Sequence, residues 1–195
     1  ALLWPGLLCL ALLANPVVRL LLGPQWGDVP PLVRIMALGA LSLFPAFMTF
    51  PMMVALGRIR DTLLMSIISL PPSILVIFAL SNFGLEAVAA AQLINAPLQV
   101  FVAITFIRRQ VPISWTDIAA AVGPSAIVAI CTVAMPAAVI AMTGFRLDLS
   151  VPVFLLAVLG AVPGWLIGLA VSGHPMMGEI KQAASLLGGT ARQRG

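Results

Sequence analysis

"LLLGPQWGDVPPLVRI", residues 20–35, separates two long apolar runs, 1–22 and 35–56. Two glycines, three prolines, Trp26, Asp28 and Arg34 make it rigid, polar punctuation. The chain around it is 62% hydrophobic and 8% charged, with a mean hydropathy of +1.15. Soluble domains carry roughly 25% charged residues, so the flanking runs are membrane spans and the stretch is the turn between them. In such a turn Trp26 sits at headgroup depth with its indole N–H wet, and Pro30-Pro31 begin the next helix.

The same reading extends to the rest of the chain. A span takes about 20 apolar residues, so 195 residues hold about six. The apolar runs are 1–22, 35–56, 63–80, 87–107, 119–142 and 149–171. The charged residues other than Arg19 fall outside the five later runs, as a cost of roughly 2.5–3.5 kcal/mol for a charge at a helix centre requires. Residues 57–62, 82–86 and 144–148 read as tight helix–helix turns. Period-2 alternation is absent, which excludes a β-barrel. The expected fold is all-α: a polytopic transmembrane helix bundle over 1–173, followed by a cytoplasmic tail over 174–195.

Cys9 and Cys131 lie in apolar runs without His or acidic neighbours at metal-ligand spacing, so both read as reduced packing residues. No metal, cofactor or nucleic-acid partner is expected, and GxxxxGK[ST] is absent. The chain opens at Ala1 inside an apolar run, without the basic start of a signal peptide, and is expected to be a piece of something longer. Arg58, Arg60, Arg108, Arg109 and Lys181 fall on one side, Arg19, Arg34 and Arg146 on the other, which favours a cytoplasmic C-terminus. In "VPISWTDIAAAVGP", residues 111–124, Trp115 and Asp117 suggest a short helix forming an elbow before the fifth run.

The stretches "NPVVRLLLGPQWGDVPPLVRIMAL" and "VALGRIRDTLLMS" resemble the C-terminal part of oligosaccharide and polysaccharide flippases of the multidrug/oligosaccharidyl-lipid/polysaccharide exporter superfamily. The resemblance is carried by a leucine-rich turn with Leu22, Gly23 and Trp26, and by the Gly57-Arg58 pair after the next helix. "SNFGLEAVAAAQLINAPLQV" is similar to the family's Gly-started twelfth helix, and "RRQVPISWTDIAAAV" to its elbow. The resemblance implies twelve to fourteen helices in two lobes around a central cavity, with this chain supplying roughly helices nine to fourteen and an N-terminal lobe lying upstream. It also implies a function: turning lipid-linked sugar repeats from the inner to the outer leaflet of the bacterial inner membrane, for O-antigen or exopolysaccharide synthesis. The implied partners are the lipid-linked oligosaccharide, membrane lipids and polysaccharide polymerase machinery.

Residues that suit such a path can be named. Gln92, Asn95 and Gln99, at i, i+3 and i+7, make one polar stripe on an apolar helix. Sugar hydroxyls call for uncharged hydrogen-bonding groups, although polar stripes also serve helix–helix packing. Arg19 and Arg34 are the basic residues of the outer half suited to a pyrophosphate; their plainer role is snorkelling. Ser66, Ser69 and Ser73, and Gly160, Gly164 and Gly168, read as close packing. His174 reads as a solvated loop residue.

No catalytic residue is expected. A membrane glycosyltransferase or polymerase would need converging carboxylates or His, whereas Asp28, Glu86, Asp117, Asp148 and Glu179 are scattered over both sides. A multidrug exporter of the same superfamily would be expected to carry a membrane-embedded acid for ion coupling.

Overall fold

The computed structural model describes residues 1–145, 147–174 and 176–178, and for 45–48 the backbone alone. Arg146, Glu179, Lys181, Arg192 and Arg194, with most of the expected tail over 174–195, lie outside the described residues. Among those described, the regular elements are all helices: α1 Leu3–Leu12, α2 Ala14–Leu21, α3 Val29–Ala40, α4 Phe44–Ala55, α5 Ile59–Ser81, α6 Leu85–Gln110, α7 Trp115–Met142 and α8 Val151–Ser172. Helices α5 to α8 are each long and apolar enough to cross a membrane, and α1 with α2 adds a fifth if the bent pair is one span. The protein is a multi-pass helical membrane protein.

The first two apolar runs are broken, and proline chemistry accounts for both breaks. Helices α1 and α2 meet at 81° across Leu13. Pro16 has no N–H to continue the first ladder, but it fits the first turn of a new helix, which is where it sits in α2. Helix α2 buries Ala14, Pro16 and Val18 and exposes Arg19, Leu20 and Leu21. In the second run, α3 ends in a 3₁₀ turn over Leu41–Leu43 before α4 starts. Pro45 cannot donate to the carbonyl of Leu41 four residues back. The Trp4 indole N–H donates to that carbonyl instead, at 3.0 Å, and its ring meets Phe44 edge-on at 5.6 Å.

The third and fourth runs extend to the 23-residue α5 and the 26-residue α6. Gly84 starts α6 at φ 94°, ψ 179°, a backbone conformation open essentially to glycine. The expected elbow is not a separate short helix: Trp115 opens the 28-residue α7, which runs through Pro124. The reason is a capping box at Ser114-Trp115-Thr116-Asp117. Ser114 Oγ accepts from the Asp117 N–H at 3.1 Å, and the Asp117 carboxylate accepts from the Ser114 N–H at 2.8 Å.

Neighbouring helices form a row in the order α8, α7, α1, α3, α6, α5, with α4 against α6. Two separate cores result. Leu13, Val139, Ile140, Leu149 and Ala157 close one around α7 and α8; Met53, Met65, Val102, Ala103 and Phe106 close the other around α4, α5 and α6. In the first, the backbones approach closely. A Cβ on Gly164 would lie 2.5 Å from the Cys131 carbonyl oxygen, one on Gly168 2.8 Å from the Cα of Val128, and one on Gly160 would strike the Met135 side chain. The small-xxx-small spacing of α8 is therefore the seam with α7.

Candidate functional site

The polar stripe of α6 is shared among three neighbours. Gln92 lies against α3, where its Cγ would be 2.7 Å from a Cβ on Gly39. Asn95 is 3% exposed, and its side-chain N–H donates to the Ser73 carbonyl of α5 at 3.4 Å. That is at the long limit for an N–H···O bond. Its Oδ1 has no hydrogen-bond partner. One turn on, Gln99 opens into a pocket of about 170 Å³ between α4, α5 and α6, lined also by Thr49, Thr62, Ser66 and Ser69. The Thr62 hydroxyl oxygen there is buried and unpartnered as well.

An unpartnered buried polar atom costs roughly 1–3 kcal/mol, so two of them between α5 and α6 leave hydrogen-bonding capacity there unused. Hydroxyls and amides both donate and accept without carrying charge. Together they form a surface suited to water or polyol hydroxyls. The serine stripe, expected as packing, divides in the same way: Ser66 and Ser73 each donate to the carbonyl four residues back, while Ser66 and Ser69 also face the pocket. Periodicity marks the polar face but not which neighbour each residue meets, which is why Thr49 and Thr62 escape a reading based on stripes.

The two candidate arginines come together at the other polar locus. Arg34 Nη2 donates to Asn15 Oδ1 at 2.6 Å, and its Nε donates to the Ala11 carbonyl at 3.3 Å, so the guanidinium covers the carbonyl end of α1 where the chain bends. Asn15 Nδ2 in turn donates to Asp148 Oδ1 at 3.2 Å, and Arg19 Nη1 lies 3.8 Å from the same oxygen. A pocket of about 250 Å³ opens here, lined by Asn15, Arg19, Trp26 and Asp148 among others, with Gly23 at φ 97° shaping the turn. Arg34 is committed to holding the bend. Arg19, 60% exposed, is the solvent-facing cation of the site.

His174, expected in a solvated loop, is half-buried: its Nδ1 accepts from the Met176 N–H at 3.2 Å and its Nε2 lies 3.4 Å from Ser125 Oγ. Both cysteines are free and half-exposed. No cluster of metal-ligating side chains occurs among the described residues. No protein-family model, curated protein or solved structure matches the chain.

Proposed function

We propose that these helices form part of a transporter that moves lipid-linked oligosaccharide repeat units across the bacterial inner membrane, for O-antigen or exopolysaccharide synthesis, with the C-terminus on the cytoplasmic side. The observation that carries the reading is the polar face between α4, α5 and α6, where Thr62 Oγ1 is buried without a partner in the pocket shared with Gln99, Ser66 and Ser69, and Asn95 Oδ1 is buried without a partner one turn before Gln99. Unsatisfied, uncharged hydrogen-bonding groups inside an apolar bundle match the demand of sugar hydroxyls crossing a membrane. The sequence resemblance to flippases supplies the substrate class. Part of this surface closes against the upstream lobe that the resemblance implies, and translocation proceeds by alternating access.

The decisive experiment replaces Gln92, Asn95 and Gln99 together with Leu in the full-length protein and measures repeat-unit export in a complementation strain beside the melting temperature in detergent. The expected outcome is an inserted protein that melts near the parent and does not export. Normal export by the triple variant would sink the reading. Orientation has its own test in a background lacking Cys9 and Cys131. A cysteine at Arg109 should react with an impermeant thiol reagent only after the cells are opened, and one at Asn82 should react in intact spheroplasts; the reverse pattern would invert the topology.

A further inference from the structure

An apolar groove that shares no lining residue with the polar seam lies at the opposite end of α7 from Arg19 and Asp148. It has a volume of about 440 Å³ and runs between α4, the last turns of α6 and the first turns of α7. Its walls are Phe44, Met52, Ile104, Ile107, Ile118 and Val122, and Arg108 and Asp117 stand at its mouth. The Arg108 Nε donates to the Ile113 carbonyl at 3.0 Å, and the guanidinium lies over the Trp115 ring at 5.0 Å, which fixes it at the rim. Its two terminal nitrogens make no bond to the protein among the described residues.

The charge at this end is net positive: Arg58, Arg60, Arg108 and Arg109 stand with Asp61 and Asp117, four cations to two carboxylates among the described residues. The Gln110 amide donates to Asp61 at 3.2 Å, which sets the first turn of α5, with Arg58 and Arg60, beside the last turn of α6, with Arg108 and Arg109. Among the described residues the one ion pair is Arg19 with Asp148, so none of these four arginines has a carboxylate within 4.0 Å. The Asp117 carboxylate is taken up by the Ser114 N–H and hydroxyl in the helix cap, and Asp61 by Gln110.

We propose that this groove holds one acyl chain of an anionic membrane phospholipid, its phosphate on the free nitrogens of Arg108 with Trp115 at the level of the glycerol backbone. The complementarity has two parts. A groove of aliphatic and aromatic walls within the last helical turns takes a chain, and an unpaired guanidinium at interfacial depth takes a phosphate. A zwitterionic lipid fits the walls equally well but gains less from the Arg108 guanidinium, since its own ammonium offsets the phosphate. The site is independent of the transport reading, since it uses none of the residues of the polar seam.

The test is native mass spectrometry of the purified full chain, titrated in detergent with dioleoyl phosphatidylglycerol or with the phosphatidylcholine of the same chains. Phosphatidylglycerol should be retained about fivefold more tightly, the effect of one interfacial arginine on an anionic lipid. Parity in the unmodified chain overturns the proposal without any variant. Arg108→Gln should bring the two lipids to parity, while Arg108→Lys should keep most of the preference. Ala121→Trp, or Val122→Phe if the first variant melts early, fills the groove and leaves the arginines in place; it should lose retention of both lipids. Undiminished phosphatidylglycerol preference in the filled variant would mean attraction to surface charge alone, and would overturn the groove.

Discussion

Helices α7 and α8, at one end of the row, and α5 and α6, at the other, are each consecutive apolar helices joined by a short turn. They are held together by opposite means. Between α7 and α8 two glycines, Gly164 and Gly168, let backbone meet backbone and Gly160 makes room for Met135, and among the described residues neither helix has an orphan buried side-chain polar atom. Between α5 and α6 the contact includes a long Asn95–Ser73 bond, two unpartnered oxygens and a pocket. A seam fixed by backbone contact has one arrangement, because cores resist continuous deformation. A seam with unspent hydrogen-bonding capacity can exchange partners at small cost. On the proposed transport reading the two pairs would divide the labour, one rigid and one able to rearrange around a polar guest.

The largest expected effect tests the rigid half. Gly164→Ala puts a methyl 2.5 Å from a backbone carbonyl that cannot swing aside, so a destabilisation of about 1–3 kcal/mol, the usual range for overpacking, is expected. It would be read as a fall in melting temperature in detergent. Gly160→Ala should lose less, since it meets the flexible Met135 side chain. If both variants melted with the parent, the contrast between the seams would be gone.

Asn95→Leu probes the other half and should change stability by no more than about 0.6 kcal/mol, the mean for a hydrogen bond between membrane helices. It removes an orphan acceptor along with a long bond. Export should fall severely even so, and a melting temperature as low as that of Gly164→Ala would reassign Asn95 to packing.

The smallest effect is expected at the polar bend. Arg19→Gln breaks a pair whose members are 60% and 70% exposed, which is worth a few tenths of a kcal/mol at most in such settings. Added salt should erase the difference. A larger loss would mean that the bend, and not either seam, governs the stability of this end.

Much of this was open to reading in the sequence. The spacing of Gly160, Gly164 and Gly168 announces a close seam because a four-residue period keeps them on one helix face. Composition and charge placement announce the membrane and the turns. The bend at Leu13 was harder, since Asn15-Pro16 marks the end of one helix and the start of another equally well, and only the tertiary contacts of Arg34 with Asn15 and Ala11 select the sharp turn. The length of α7 had a signal that the reading of residues 111–124 as a separate elbow obscured: Ser114 followed three residues later by Asp117 is a capping box before an apolar run. The site was legible as a polar face, not as a set of partners. Gln92, Asn95 and Gln99 share a stripe, yet Gly39, Ser73 and Thr62, which decide what each can do, come from two other helices, α3 and α5.

The α7–α8 seam also bears on the order in which the bundle assembles. Its two halves are adjacent in the chain, with only residues 143–150 between them, and contacts of low sequence separation form fastest. The pair is expected to zip as a hairpin as soon as α8 enters the bilayer. Helix α1 can meet α3 early, with Arg34 holding its bend, but its face toward α7 has to wait until α7 has been synthesised. A pulse-chase series with cysteines placed across the two contacts would see the Cys131–Gly164 region protected before the Leu13–Val139 region, and a slowed seam, as in Gly164→Ala, should delay both.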